Sequence, residues 1–180
     1  SVDMMTSYGV NTLISDSGVI KYRIVAERWQ VNTVKNPQRW TFDKGMFMEQ
    51  FDEKFHVQSY IQCDTGYFYN TKKLWELRGR VTIVTKDGLH FNSEELFWDQ
   101  MKHELYSSKF SKLVTPERRL QGAFFRSDEK MTKYKENINW VSVNPKIYTP
   151  IDQGIVILKN AKDNKEVKAF YDFVLSPKAK

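Results

Sequence analysis

A single cysteine, Cys63, stands among the 180 residues, which excludes an internal disulfide and any metal site built from several cysteines. No apolar run approaches the ~20 residues a helix needs to cross a bilayer, and no signal-peptide pattern opens the chain. The start at Ser1-Val2-Asp3 reads as a trimmed or mature form. The 28 basic and 22 acidic residues, net +6, are mixed along the chain without a dense Lys/Arg block, so the footprint of a nucleic-acid binder is weak. Glycine-rich phosphate loops, His-Glu-x-x-His and Gly-x-Ser-x-Gly are all missing. His56, His90 and His103 lie apart in sequence. The first two fall on polar faces and the third near a turn, so they read as solvated rather than as metal ligands. Asp52-Glu53 and Glu94-Glu95 point to opposite faces in extended chain, a poor arrangement for paired acid–base work. Nothing here predicts an enzyme, a cofactor or a bound metal.

What the chain has instead is alternation. Ile20, Tyr22, Ile24 and Ala26 alternate with Lys21, Arg23, Val25 and Glu27. Phe55, Val57, Ser59, Ile61 and Cys63 alternate with His56, Gln58, Tyr60, Gln62 and Asp64. Trp75, Leu77, Gly79, Val81 and Ile83 alternate with Leu74, Glu76, Arg78, Arg80 and Thr82. A period of two places each apolar set on one face of a sheet, with Cys63 inward as a small apolar residue. Turns are expected at Asp16-Ser17-Gly18, at 70–73 and at Lys86-Asp87-Gly88. Phe91 and Phe97 do not share a register with Leu96 and Trp98, which predicts a bulge near Glu94-Glu95. Gly79 and Gly122 sit in similar settings, either a weak repeat at a bend or two unrelated strand glycines. Trp29, Trp40, Tyr60, Tyr67, Tyr69 and Trp98 could stack bases, but without a basic stripe they read as cross-strand pairs. The expected fold is mainly β: two facing antiparallel sheets, or a jelly roll.

Near residue 136 the texture changes. Residues 140–150 are turn-rich, and Ile155-Val156-Ile157-Leu158 reads as a buried strand. Asp163 then opens a helix with Glu166 as capping-box partner, and Ser176-Pro177 ends it. The expected organisation is a β unit over 1–135 and a strand–loop–helix segment over 136–180.

These residues resemble a known family. Tyr8 to Gly18, Tyr22-Arg23-Ile24, Gly45 to Asp52, Cys63 to Tyr69, Leu74 to Val81, Glu95 to Gln100, Tyr106 to Phe110 and Met131 to Tyr134 are similar, in order and spacing, to the LptC component of lipopolysaccharide export. The resemblance implies a twisted, partly open β jelly roll in the periplasm, tethered to the inner membrane by a segment outside this chain. The tail is similar to something else. Trp140 to Pro145, Pro150 to Leu158 and Lys168 to Pro177 resemble the C-terminal part of periplasmic molybdate-binding proteins. Only Gln153 or Tyr148 lies near a position that could offer an oxyanion ligand, so no molybdate site is carried over. A chain joining both departs from either pattern.

The first resemblance implies a non-enzymatic lipid-transfer protein. Its apolar face, lined by Ile20, Tyr22, Ile24, Phe55, Val57, Ile61, Trp75, Leu77, Val81 and Ile83, would shelter the acyl chains. Arg78, Arg80 or Lys109 would lie near the phosphorylated head. The implied partners are lipopolysaccharide, an inner-membrane ABC transporter and a periplasmic bridge β-roll that docks edge to edge. An oxyanion-binding protein and a carbohydrate-binding sandwich are the alternatives.

Overall fold

The computed structural model describes residues 4–34, 36–129 and 131, the backbone of 141–142, and residues 165 and 168. Among these residues the chain forms one antiparallel sheet of thirteen strands. They are β1 (Met4–Asp16), β2 (Val19–Asn32), β3 (Arg39–Phe42), β4 (Met46–Phe51), β5 (Val57–Cys63), β6 (Thr65–Tyr69) and β7 (Leu74–Thr85). There follow β8 (His90–Asp99), β9 (Glu104–Ser107), β10 (Ser111–Val114), β11 (Arg119–Gly122), β12 (Phe125–Asp128) and β13 (Val141–Ser142). The three turns expected from sequence all separate strands.

Register reduces this list to a simple object. The first part of β2 pairs with β4 and its last part with β3. Strand β7 pairs with β6 through its first half and with β5 through its second. Strand β8 likewise divides between β10 and β9. Thus β3/β4, β5/β6, β9/β10 and β11/β12 are each one pass interrupted at a bend. The whole is a meander creased across its strands into two leaves. Leaf I holds β4, β5, β10, β11 and β13 with one half of each long strand; leaf II holds β3, β6, β9, β12 and the other halves.

Side chains explain why the leaves close. On leaf I one register row runs Ile24, Met48, Ile61, Ile83, Phe91 and Leu113. On leaf II the corresponding row runs Trp40, Phe68, Trp75, Trp98 and Leu105. Cross-strand aromatic neighbours of this kind stabilise a sheet by ~0.2–1 kcal/mol per pair. Phe68 and Trp75 lie 4.8 Å apart, and Trp40 and Phe68 4.9 Å. Both rows belong to one buried cluster.

Leaf I is also buried on its outer side, at Val25, Phe47, Glu49 and Val84. The consecutive apolar residues Ile24-Val25-Ala26 and Met46-Phe47-Met48 carry that signal, since a strand buried on both faces does not alternate.

The crease is held by charge. Arg28 on β2 donates to Asp43 at the β3/β4 bend, its Nε lying 2.8 Å from Oδ1. Arg80 on β7 donates to Asp64 at the β5/β6 bend at 2.7 Å. Between them β7 carries one extra residue against β8 at Gly79-Arg80, facing Glu94. The bulge expected near Glu94-Glu95 is present, with its extra residue on the partner strand. Gly122 also borders the crease, just before the pass crosses at Ala123-Phe124.

Candidate functional site

The seam between the leaves, filled in this structure by their own side chains, is the candidate site, with the crease at its back and the strand-connecting turns at its mouth. Six of the ten expected lining residues, Ile24, Ile61, Trp75, Leu77, Val81 and Ile83, are buried at its floor, and Tyr22 is buried nearer the mouth. Ile20 and Val57 are part-buried at the mouth end of leaf I, where register shifts pair them with Ser15 and Phe51 on its outer face. Sequence reading missed Phe42, Met46, Met48 and Phe68, which fill the same floor. Their signal was present: Met46 and Met48 flank Phe47 in a six-residue strand.

Phe55 is a correction. Strand β5 begins at Val57, not at Phe55. The Asp52 carboxylate accepts from the backbone N–H of Lys54 and of His56, each at 2.8 Å, and ties 52–56 into a turn. Phe55 takes φ 65° there, stands exposed and stacks on Phe51 at 4.5 Å, away from the interior.

The cations need the same treatment. Arg78, Arg80 and Lys109 lie along the crease, on the opposite side from the mouth, and Arg78 and Arg80 are engaged by Glu95 and Asp64. The exposed lysines nearest the mouth are Lys54, Lys72, Lys73, Lys86 and Lys102, all in the turns of the two rims. His90 is half-buried rather than solvated, and burial pushes its pKa down. His103 sits exposed in a turn, 3.2 Å from Glu129. Among the described residues no cluster of His, Cys, Asp and Glu could hold a metal ion.

Trp29 and Trp40 are part-buried and pair edge-on at 5.0 Å, packed against Phe42 and Phe68. This agrees with their reading as cross-strand aromatics. Together with Ile14 they form the least covered stretch of apolar surface contiguous with the core.

One buried carboxylate is structural. Glu95 accepts from the Ser108 N–H at 2.8 Å and from its hydroxyl at 2.7 Å, and it pairs with Arg78. Burial alone would raise its pKa; the Ser108 hydrogen bonds and the Arg78 charge outweigh it and hold the carboxyl below its usual range. A depressed folded-state pKa contributes stability above the unfolded value of ~4.3, and that contribution is lost as pH falls through the folded value. Glu95→Gln is therefore expected to destabilise by about 1–2 kcal/mol at neutral pH. In urea titrations the gap between variant and parent should close as pH drops below ~4. A gap independent of pH would contradict this assignment.

The C-terminal readings lie mostly outside the described residues. Val141-Ser142 pairs with β11 and extends leaf I, and Lys165 and Lys168 are helical. The expected strand at 155–158, Tyr148 and Gln153 lie outside them.

No curated protein matches the sequence. The crystal structure of LptH, the LptA-homologous periplasmic component of the lipopolysaccharide transport device of Pseudomonas aeruginosa, is similar over 53% of this chain and 75% of that one. Identity is 16% and the TM-score 0.38, a likeness on which no argument is rested. The family model for bacterial extracellular solute-binding proteins matches residues 81–180, from within β7 to the end. Since that is more than half of the 180 residues, the chain belongs to the bacterial extracellular solute-binding protein family.

Proposed function

We propose that the creased β-roll is a non-enzymatic periplasmic carrier that shelters the acyl chains of lipopolysaccharide between its leaves. The observation that carries this reading is the facing of two apolar rows, mainly aliphatic on leaf I and mainly aromatic on leaf II, whose margin at Ile14, Trp29 and Trp40 is only part-buried. The resemblance of residues 9–134 to LptC supports it, and membership of an extracellular family agrees with a periplasmic location. Each methylene withdrawn from water contributes ~0.8 kcal/mol, so a multi-chain lipid needs cover throughout an aqueous transit. The head group would stay outside, near the rim lysines rather than the crease arginines.

Transfer between two apolar clefts is close to neutral in free energy, so direction must come from a partner. An inner-membrane ABC transporter supplies it in this reading. Among the described residues strand β1 pairs only with β2, so in this reading its other edge offers backbone donors and acceptors to a neighbouring β-roll. In this reading residues 1–135 form the carrier, anchored at the inner membrane, and 136–180 an appended segment that adds β13 to leaf I.

A photo-crosslinking residue at Ile14 or Trp29, both part-buried against the core, is expected to capture lipopolysaccharide in cells, while one at Tyr60, on the outer face of leaf I, captures several-fold less. Equal capture at all three, or none from a folded protein, would remove the proposal. The family match favours one second reading, a small-solute binder. Calorimetry with molybdate and tungstate tests it: micromolar binding would reverse the order of the two readings, and no heat would set the oxyanion reading aside.

A further inference from the structure

Tyr22 occupies a singular place in the cleft. It belongs to the register row of leaf I nearest the mouth, with Ile14, Gln50, Ser59 and Thr85. Its neighbours in that row are part-buried or polar, whereas Tyr22 is only 7% exposed. What covers it comes from the opposite leaf. Its ring meets Trp75 edge-on at 6.3 Å and Trp98 at 6.2 Å, and its hydroxyl lies beside the side chains of Trp75 and of Gln100, just past β8 on the rim of leaf II. The edge-to-face geometry is the favoured one for aromatic pairs.

The consequence is mechanical. Ile24, Met48, Trp75 and Leu77 are at or near zero exposure, so no acyl chain can touch the floor while the leaves stand as they do. The leaves are one continuous sheet, joined at the back by the crease, so they can separate only at the front. There Tyr22 joins the rim of one leaf to the aromatic row and the rim of the other.

We propose that Tyr22 is a clasp across the mouth, whose ring must leave Trp75 and Trp98 before a saturated acyl chain can enter between the leaves. This rests on the carrier reading for the identity of the guest, but not for the closure itself. The clasp differs from a filled core position in one respect: the residue that closes the cleft is also amphipathic. Once displaced, its hydroxyl reaches water at the rim while its ring can lie along the entering chain.

Two measurements separate the closure from the guest. Nitroxides at Gln58→Cys and Met101→Cys, both exposed and on opposite rims, report the width of the mouth by pulsed dipolar spectroscopy. Cys63 is buried with its pKa pushed far up, so it stays unlabelled. Tyr22→Ala is expected to lengthen and broaden the distance distribution, while Tyr22→Phe, which keeps the ring contacts, stays close to the parent. An unchanged distribution in Tyr22→Ala, with circular dichroism showing a folded sheet, overturns the clasp. If Tyr22→Ala does not fold, Tyr22→Phe and Gln100→Ala decide it: a distribution that does not move in either between the ligand-free and the lipopolysaccharide-saturated protein, with adducts still forming, overturns it as well. The second measurement is the adduct yield from the crosslinker at Ile14, expected to rise several-fold in Tyr22→Ala. A wider mouth with an unchanged but positive yield refutes gating by Tyr22. Absence of adducts in every variant refutes the lipopolysaccharide reading, with the spin-label distances still deciding whether Tyr22 closes the cleft.

Discussion

Replacing Trp75 with alanine is expected to destabilise the protein by about 3–5 kcal/mol, at the upper end of large-to-small substitutions. Trp75 is fully buried at the centre of leaf II and is the largest side chain in the core with no exposure. Its ring stacks on Phe42 at 6.0 Å and lies 4.8 Å from Phe68, 6.2 Å from Trp40 and 6.3 Å from Tyr22. Four of the walls around the vacated space would be rings, which collapse poorly because they shift only as rigid plates. The cost of a cavity grows with the volume left unfilled. For a domain of this size the loss corresponds to a drop in Tm of about 10 °C. Urea unfolding should show the midpoint falling with little change in slope, and Trp75→Phe should recover much of the loss. A midpoint shifted by less than ~1 kcal/mol would mean that the two leaves do not share one core.

The second large effect belongs to the crease. Gly79 has φ +75°, and a Cβ built there would stand 2.6 Å from Asp64 Oδ2 and 2.9 Å from Asp64 Cβ. The Asp64 N–H donates to the Gly79 carbonyl at 2.9 Å, so the two backbones are fastened together and neither can step aside. The Asp64 carboxylate is in turn held by Arg80. Gly79→Val combines a left-handed conformation that β-branched residues resist, ~1–2 kcal/mol, with overpacking of a further ~1–3 kcal/mol. The expected total is about 3 kcal/mol. Gly18→Ala is the control: its φ is +79° but nothing lies within 4 Å of the new Cβ, so only the ~1 kcal/mol conformational part remains. If Gly79→Ala cost no more than Gly18→Ala in denaturant, the close approach of β7 to the β5/β6 bend would not be real.

These predictions bear on function through the same geometry. Trp75 is the wall that Tyr22 leans on, and the crease at Gly79 sets the separation of the leaves. Variants at either position that still fold should therefore change capture of lipid at Ile14, whereas changes in the exposed turn at Gly18 should not.

How much of this was legible can be argued residue by residue. Tyr22, Ile24 and Ala26, Ser59, Ile61 and Cys63, Trp75 and Leu77, and Val81 and Ile83 all point inward as alternation required, because pleating is a local property of extended chain. The flip in parity along β8, from Phe91 to Leu96 and Trp98, was visible too. Phe55 was misplaced because alternation continues through a turn when the turn's own residues happen to alternate; the Asp52 hydrogen bonds that end the strand involve backbone groups, which composition does not show. The crease arginines were assigned to the mouth because Arg78 and Arg80 are outward-facing on any strand model. Period two says which face a residue takes, but not how far along a bent strand it lies from the bend.

By itself the sequence determined the antiparallel β class, the faces of the strands, the hairpin turns and the absence of the familiar catalytic motifs, all of which follow from short-range periodicity and side-chain chemistry. Only the tertiary structure decided that the meander creases across its strands, that Asp43 and Asp64 meet Arg28 and Arg80 at the bends, and that Tyr22 reaches Trp98 across the cleft. Those pairings join residues 15 to 76 positions apart. They depend on which apolar rows come to face each other once water has been expelled, and no local pattern encodes that.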